Sequence, residues 1–287
     1  MATNNIQVAE VCERLVDEGY LANSLTANVF NSGAIQPKVG EGFGKFKVMK
    51  VSVDGIGTYS KENGYAKSGT TVSYEEIEPD IDLSTSISID HFDNAETMNL
   101  ALAAAIKQIN SKLAKEVDAI RMASICQQVA DKIFPKKEIT TGTDAIVSLR
   151  EAITIMENAG VYNDKILIAT PALFGAIEDL DSYKSKNILQ HFSQLVQIPS
   201  DRMYTKINVH DGTAQFNYTK ADDASDIQFM IASKSAIDSS AKSRVKIISS
   251  EVNQNLDADE AKVRFYGISA YILDNYKDGI YICTKAK

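Results

Sequence analysis

The feature that most constrains this chain is a helical pattern running without interruption from about Asn94 to Phe134. Asp93 and Glu96 form a capping box before it, and Pro135 cannot continue it. Such a helix would be about 60 Å long, far beyond the usual three to four turns. Its apolar residues recur at steps of three and four, at Met98, Leu102, Ala105, Ile109, Leu113, Val117 and Ile120. We predict a spine helix, with packing residues Leu102, Ala105, Ile109 and Leu113.

The composition argues against several classes of function. A net charge of −8 lacks the basic excess that binding to phosphates requires. Three His and no Trp leave little material for common catalytic or metal chemistry. Cys12, Cys126 and Cys283 lie far apart, which predicts buried free thiols in a reducing compartment. We find no signal peptide and no transmembrane-length apolar run, and therefore expect a soluble protein made in the cytoplasm.

Two segments before the spine helix should not be stable alone. Residues 1–45 begin with an amphipathic helical pattern and continue as an extended arm without a period of its own. Residues 46–90 predict a long β-hairpin, whose returning strand alternates between apolar and polar residues from Ile81 to Ile89. Its glycine-rich tip carries Tyr59 and Tyr65. Because isolated hairpins are marginal in water, we expect it to dock on another subunit.

The sequence after the spine helix mixes helices and strands. Thr143 or Asp144 could cap a helix, and Pro171 begins another. An Asp-Gly pair within His210-Asp211-Gly212 indicates a hairpin turn. The predicted strands are 165–169, 226–232, 244–252, 261–273 and 279–283, with an acidic, Asn-rich tip at 253–260.

No pattern predicts a catalytic, cofactor or metal site. The cluster of Asp90, His91, Asp93 and Glu96 could hold a metal, but the last two are already explained as a helix cap. The acidic tip at 253–260 lacks the glycine and terminal Glu of a calcium-binding loop. The glycines at 40–44 are followed by a strand, not by the helix of a phosphate-binding loop.

The order of these parts resembles the major capsid proteins of tailed bacteriophages with the Hong Kong 97 fold. The most specific stretch is residues 47–60, which carry a strand and a Gly-x-x-Tyr-like segment, followed by Asn63-Gly64-Tyr65. Residues 89–96 resemble the family's entry into the spine helix, and residues 245–252, 263–273 and 278–281 its last strands.

The resemblance implies an α+β fold with four parts. These would be an N-terminal arm at 1–45, an extended loop or β-hairpin at 46–92, a peripheral domain at 93–140 and 244–273, and an axial domain at 141–243 and 274–287. With about 45 residues before the hairpin, a separate scaffolding protein is expected.

It further implies a structural protein that assembles into hexamers and pentamers around double-stranded DNA, without sequence-specific binding. The shell would be icosahedral or prolate, located in the virion and built in the host cytoplasm. Portal and decoration proteins would be further partners, and no membrane or cofactor is expected. Some relatives crosslink a Lys to an Asn with help from a Glu, and Lys61 or Lys67, Asn253 or Asn255, and Glu260 offer those residue types. Candidate contacts between subunits are Phe30, Tyr59, Tyr65, Lys67, Asn253, Asn255 and Glu260.

Two other functions stay open at this point. One is an encapsulin-like compartment of the same fold that holds protein cargo. The other is a soluble α/β enzyme that uses the region of Asp90 and His91.

Overall fold

A computed structural model describes residues 18–20, 23–27, 29–30, 35–36, 46–62, 65, 67–90, 100–180, 183–253 and 257–286. The chain divides into two compact units, Gly33–Pro79 and the combination of Met1–Ser32 with Asp80–Lys287. The helices are α1 (Leu100–Gln128), α2 (Gly142–Asn158), α3 (Pro171–Glu178) and α4 (Tyr183–Leu189). The strands are β1 (Ile35–Gln36), β2 (Phe46–Val53), β3 (Thr70–Ile77), β4 (Ile81–Asp90), β5 (Ile133–Lys136), β6 (Lys165–Ala169), β7 (Gln194–Gln197), β8 (Ile207–Val209), β9 (Tyr218–Lys220), β10 (Ile227–Ser233), β11 (Ile237–Ile248), β12 (Ala258–Ile272) and β13 (Ile280–Lys285).

The smaller unit is a three-stranded antiparallel sheet in the order β1-β2-β3. Strands β2 and β3 form its long part, which we call the ribbon. The ribbon is closed where the Asp54 amide donates to the Gly69 carbonyl at 3.1 Å and the Gly69 amide donates to the Asp54 carboxylate at 3.1 Å. The glycine-rich loop predicted for its tip therefore begins where these bonds end.

The predicted returning strand of the hairpin was wrong. β2 pairs with β3, whereas the alternating strand β4 pairs with β12 in the larger unit. Alternation reports a strand with one face on a core, and β4 has that core because Ile81 is buried and Leu83 and Ile87 are half-buried beside α1. β3 has no such core, so nothing in its sequence marks it as a returning strand.

The spine helix is present, but it ends earlier than predicted. α1 closes at Gln128, so its described length is about 44 Å. The Gln128 side chain donates to the Ala270 carbonyl at 2.7 Å and accepts from the Ile272 amide at 3.2 Å, which fixes the helix end to β12. Residues predicted as its last turn instead form β5, parallel to β13, where the Phe134 ring stacks on Tyr281. Asp93 and Glu96, the predicted cap, lie outside the described residues.

A three-stranded sheet in the order β11-β12-β4 packs against the first half of α1. The sequence predicted β11 and β12 as long strands, and the structure confirms both with shifted ends. The core between helix and sheet contains Leu113 and Val117 of α1 with Val245, Val263 and Phe265 of the strands. This packing makes α1 a support for the sheet over several turns.

The second half of α1 packs on a five-stranded sheet in the order β5-β13-β10-β6-β7. Met122 and Ile125 of α1 meet Ile168 and Met230 on one face of this sheet. Helices α2, α3 and α4 contribute buried residues to a second core on the strands' other side. The sheet is thus covered on both faces, which explains the continuous apolar sequence of β6 and β10.

Three smaller predictions can be compared directly. The N-cap of α2 is Thr141, whose hydroxyl accepts from the Asp144 amide at 3.2 Å, so neither Thr143 nor Asp144 is the cap. The hairpin predicted around His210 is confirmed as β8 and β9, joined by residues 210–217. In the described part of the chain, no helix is long and apolar enough to cross a membrane.

Candidate assembly surfaces

The ribbon carries an apolar face that is exposed to solvent. Val51 stands opposite Val72 and Met49 opposite Tyr74, so these four side chains project from the same face of the two strands. They are 42%, 54%, 54% and 57% exposed, respectively. Val53, which follows on the same face, is 58% exposed. A strip of this kind is typical of a surface that another molecule covers.

The tip of the ribbon holds two of the predicted contact residues side by side. The rings of Tyr59 and Tyr65 meet edge to face with centroids 5.2 Å apart. Both are exposed, Tyr65 to 87%, and Lys67 is exposed beside them in sequence. The tip therefore presents two aromatic rings and an ammonium group in a form that a neighbouring molecule can reach.

A buried charge cluster fixes residues 24–30 to α1. Asp118 is fully buried, and its carboxylate accepts from the Ser24 hydroxyl at 2.6 Å and from the Thr26 hydroxyl at 2.6 Å. It also accepts from the amides of Leu25 at 3.1 Å and Thr26 at 3.3 Å. The Arg202 guanidinium donates to the same carboxylate at 2.9 Å. The carboxylate thus ties together three distant segments of the chain.

Arg121 extends the same cluster on the next turn of α1. Its guanidinium donates to the Thr26 hydroxyl at 3.0 Å, to the Ser269 carbonyl at 3.1 Å and to the Ser239 hydroxyl at 3.3 Å. The Ser239 hydroxyl in turn donates to the Phe30 carbonyl at 2.8 Å. Arg121 therefore links residues 26–30 to both long strands of the adjacent sheet. Buried charges require this degree of satisfaction.

One predicted contact residue belongs to this buried region, and its prediction is corrected. Phe30 is 2% exposed and packs in the core with Met122 and Ile125 of α1. Its side chain is therefore unavailable to a neighbouring subunit. Tyr20, earlier in the same segment, packs on Phe265 with ring centroids 4.8 Å apart, and burial raises the pKa of its hydroxyl.

The sequence did not reveal the charge cluster. We had placed Asp118 on the solvent side of the spine helix, and that placement was wrong because residues 24–26 cover it. The available signal was the spacing of Asp118 and Arg121 on the same face as Ala114. A charged pair on a face rich in small residues can be recognised only after a covering segment is known.

The packing face of α1 differs in part from the predicted stripe. Leu113 is buried as predicted, whereas Ala105 and Ile109 are half-buried. Ile106 and Ala114, outside the predicted stripe, are 2% and 0% exposed. The buried face is displaced because α1 is covered by the sheet and also by the segment that holds Tyr20 and the charge cluster. The side chain of the predicted residue Leu102 lies outside the described residues.

The tip between β11 and β12 contains the remaining predicted residues. The Asn253 side chain donates to the Ala258 carbonyl at 3.2 Å, and the Ser86 hydroxyl donates to the Glu260 carboxylate at 2.5 Å. The hydrogen bond from Ser86 lowers the pKa of Glu260. These contacts hold the two side chains within the sheet and its turn. Asn255 lies outside the described residues.

The described residues give little for catalysis. They contain no group of three or more His, Cys, Asp or Glu side chains that could hold a metal ion. Of the Asp90 cluster, His91, Asp93 and Glu96 lie outside the described residues. Cys126 and Cys283 are buried free thiols as predicted, and burial raises the pKa of each to about 12. Cys12 also lies outside the described residues.

Comparison with solved structures finds this fold in capsid proteins. The capsid structure of the cyanophage P-SCSP1u aligns over 88% of this chain and 86% of its own, with a TM-score of 0.58 and 14% identity. The capsid structure of Staphylococcus phage Andhra aligns over 88% of this chain and 83% of its own, with a TM-score of 0.54 and 13% identity.

A virus-like particle from Pyrococcus furiosus aligns over 96% of this chain and 98% of its own, with a TM-score of 0.62 and 10% identity. No protein-family model and no curated protein sequence matches the chain. The structural likeness covers the ribbon, the spine helix and both sheets, because the alignments span most of the chain. The chain therefore has the Hong Kong 97-type capsid fold that its sequence resembled.

Proposed function

We propose that this chain is a major capsid protein that assembles into hexamers and pentamers, forming an icosahedral or prolate shell around double-stranded DNA. The observation that carries the proposal is the exposed apolar face of the ribbon. Fully burying one Val or Met side chain stabilises an interface by about 1.5–3 kcal/mol. Five such residues on one face supply a strong drive to associate. The capsid structures with the same fold support the shell as the form of that association.

The role of each part is also a proposal. Residues 1–45 act as the N-terminal arm, residues 93–140 with 244–273 as the peripheral domain, and residues 141–243 with 274–287 as the axial domain. The extended loop was assigned to 46–92. Because β4 is a strand of the sheet that packs on α1, we now limit the loop to the ribbon and assign 81–90 to the peripheral domain.

The remaining contact residues keep their proposed roles between subunits. Tyr59, Tyr65 and Lys67 at the ribbon tip would meet an adjacent subunit, and Asn253, Asn255 and Glu260 would lie near another contact. We propose a structural role and no catalytic one. Scaffolding, portal and decoration proteins would be partners in a virion built in the host cytoplasm.

Electron microscopy and light scattering of the expressed full chain test the proposal. We expect closed shells from the wild type and none from Val51→Asp/Val72→Asp, since two carboxylates would oppose burial of the apolar face. The matched control is Ser52→Asp/Thr71→Asp, which places the same charges at the adjacent opposed pair on the other face. Shells from the control, but not from the valine variant, support the proposal.

Two results would contradict it. A wild-type chain that remains monomeric at high concentration has no drive to form a shell. A valine variant that assembles normally shows that the ribbon face is not the contact.

The virus-like particle with the same fold keeps a second candidate in view, a compartment that holds protein cargo. The two functions differ in what the shell contains. Particles purified from the natural source would hold double-stranded DNA if our proposal is correct, and a packaged protein without a genome if the compartment is correct.

A further inference from the structure

A cleft of about 420 Å³ lies between α1 and the hairpin of β8 and β9. One wall is formed by Lys112, Lys115 and Glu116 of α1. The opposite wall includes Tyr204, Tyr218, Asn217 and Lys220. The cleft lies on the side of α1 away from the charge cluster, because Lys112 and Lys115 are exposed where Asp118 and Arg121 are buried.

The two lysines of α1 lack partners of opposite charge. Neither Lys112 nor Lys115 makes a hydrogen bond or ion pair with any residue that the structure describes. Separated by three positions, they are neighbours on one face, with their attachment points roughly 5–6 Å apart. Lys220, by contrast, is held by Asp226 at 2.6 Å and lies over the Tyr204 ring at 5.4 Å. Two ammonium groups therefore remain available on one side of the cleft.

Glu116 does not neutralise them, for a reason of helix geometry. It follows Lys112 by four positions, and this order of charges on a helix is the weaker one. Burial raises the pKa of Glu116, which weakens its hold on a proton acceptor's charge further, and its carboxyl has no partner among the described residues. The lysines are consequently free to take an anion from outside.

The opposite wall is fixed in position. The Tyr218 hydroxyl donates to the Asp201 carbonyl at 2.9 Å, and burial raises the pKa of that hydroxyl to about 12, so it remains a neutral donor. The main chain of Tyr204 forms a bridge with Asp226. A ligand thus meets two ordered aromatic rings facing two mobile ammonium groups, an arrangement that suits a short piece of polypeptide.

We propose that this cleft binds an acidic peptide segment of a partner protein, with two carboxylates paired to Lys112 and Lys115. A nucleic-acid backbone is disfavoured because Glu116 and Asp201 also line the cleft and the whole chain carries a net charge of −8. Peptide groups can use the amide of Asn217, whereas a phosphate chain would meet the two acidic residues. The proposal does not depend on the shell function.

Fluorescence anisotropy with labelled hexaglutamate and the purified full chain at low salt tests it. We expect saturable binding that Lys112→Ala/Lys115→Ala weakens by about tenfold, the loss of two exposed charge pairs. Lys112→Arg/Lys115→Arg should bind like the wild type, because the charges are retained. Glu116→Gln should bind about twofold more tightly, because a competing negative charge is removed.

The matched control is Lys242→Ala/Lys246→Ala on β11, which removes the same charge from two exposed positions outside the cleft. It should change the affinity by less than about twofold. The proposal is overturned if the wild type does not bind hexaglutamate, or if the control loses as much affinity as the cleft variant. It is also overturned if an oligonucleotide of equal charge displaces the peptide and itself depends on Lys112 and Lys115.

Discussion

The charge cluster on α1 and the apolar face of the ribbon invert the usual placement of residues in opposite ways. Asp118 is charged and fully buried, whereas Val51 and Val72 are apolar and about half exposed. Every oxygen of the Asp118 carboxylate finds donors from the same chain. The ribbon face has nothing comparable, since its five apolar side chains all remain open to solvent.

This difference separates the part of the fold that is complete from the part that is not. The cluster satisfies its charges within one chain, so it fixes residues 24–30 whether or not a neighbour is present. The ribbon leaves its apolar face uncovered, so its stable state needs a second molecule. Both features lie outside the common rule that apolar residues are inside, and they do so for opposite reasons.

The largest effect should come from burying a charge without partners. Ala114 is fully buried on α1, four positions before Asp118. Ala114→Asp would place a carboxylate in the core between helix and sheet, and we expect the free energy of unfolding to fall by about 4 kcal/mol or more. Urea denaturation of the unassembled chain, followed by circular dichroism, measures this. Ala104→Asp, at an exposed position of the same helix, should change it by less than about 0.5 kcal/mol.

The next effect comes from removing a partner from the cluster itself. Asp118→Asn leaves Arg121 and Arg202 buried without their carboxylate, and should lower the free energy of unfolding by about 3–5 kcal/mol. Limited proteolysis should then cut within residues 18–30 earlier than in the wild type. Asp223→Asn is the control, because it breaks an exposed pair with Lys206 and should cost about 1 kcal/mol or less. Equal losses in the two variants would contradict the assigned role of the cluster.

The smallest effect should come from an exposed ion pair in the same sheet. The hydrogen bond from Arg264 lowers the pKa of Asp82 below its ordinary value of 3.8. A lowered folded pKa stabilises the fold above the unfolded pKa, and this contribution disappears as the pH falls through the folded pKa. Wild type should exceed Asp82→Asn by less than about 1 kcal/mol at pH 7, because the pair is exposed.

Urea titrations at pH 7 and at several values below 4 should show that difference shrinking as Asp82 becomes protonated. A difference that grows on acidification would reverse the sign we derive. Together with Asp118→Asn, this variant compares the same type of contact in solvent and in the core.

The two errors in the sequence analysis share one cause. The alternation of Ile81, Leu83 and Ile87 predicted a strand correctly, but it was assigned to the wrong partner. The apolar stripe of α1 predicted a helix correctly, but the buried face was displaced toward Ile106 and Ala114. In both cases a periodic pattern reported that a core exists, without stating which distant segment forms it.

Local patterns in the sequence were sufficient for several features. The absence of Gly and Pro across α1, the buried run of β6, the long strands β11 and β12, and the Asp-Gly turn before β9 each depend on residues close together in the chain. The order of these elements also indicated the Hong Kong 97 fold. Short-range geometry decides such features, so the sequence alone predicts them.

Only the tertiary structure decided which strand pairs with β2, where α1 ends, and that Asp118 and Phe30 are buried. Each of these depends on a contact between residues far apart in the chain. The burial of Asp118 becomes stable only when Ser24, Thr26 and Arg202 arrive together to replace the water that its carboxylate loses. That compensation depends on three-dimensional arrangement, and no local sequence pattern encodes it.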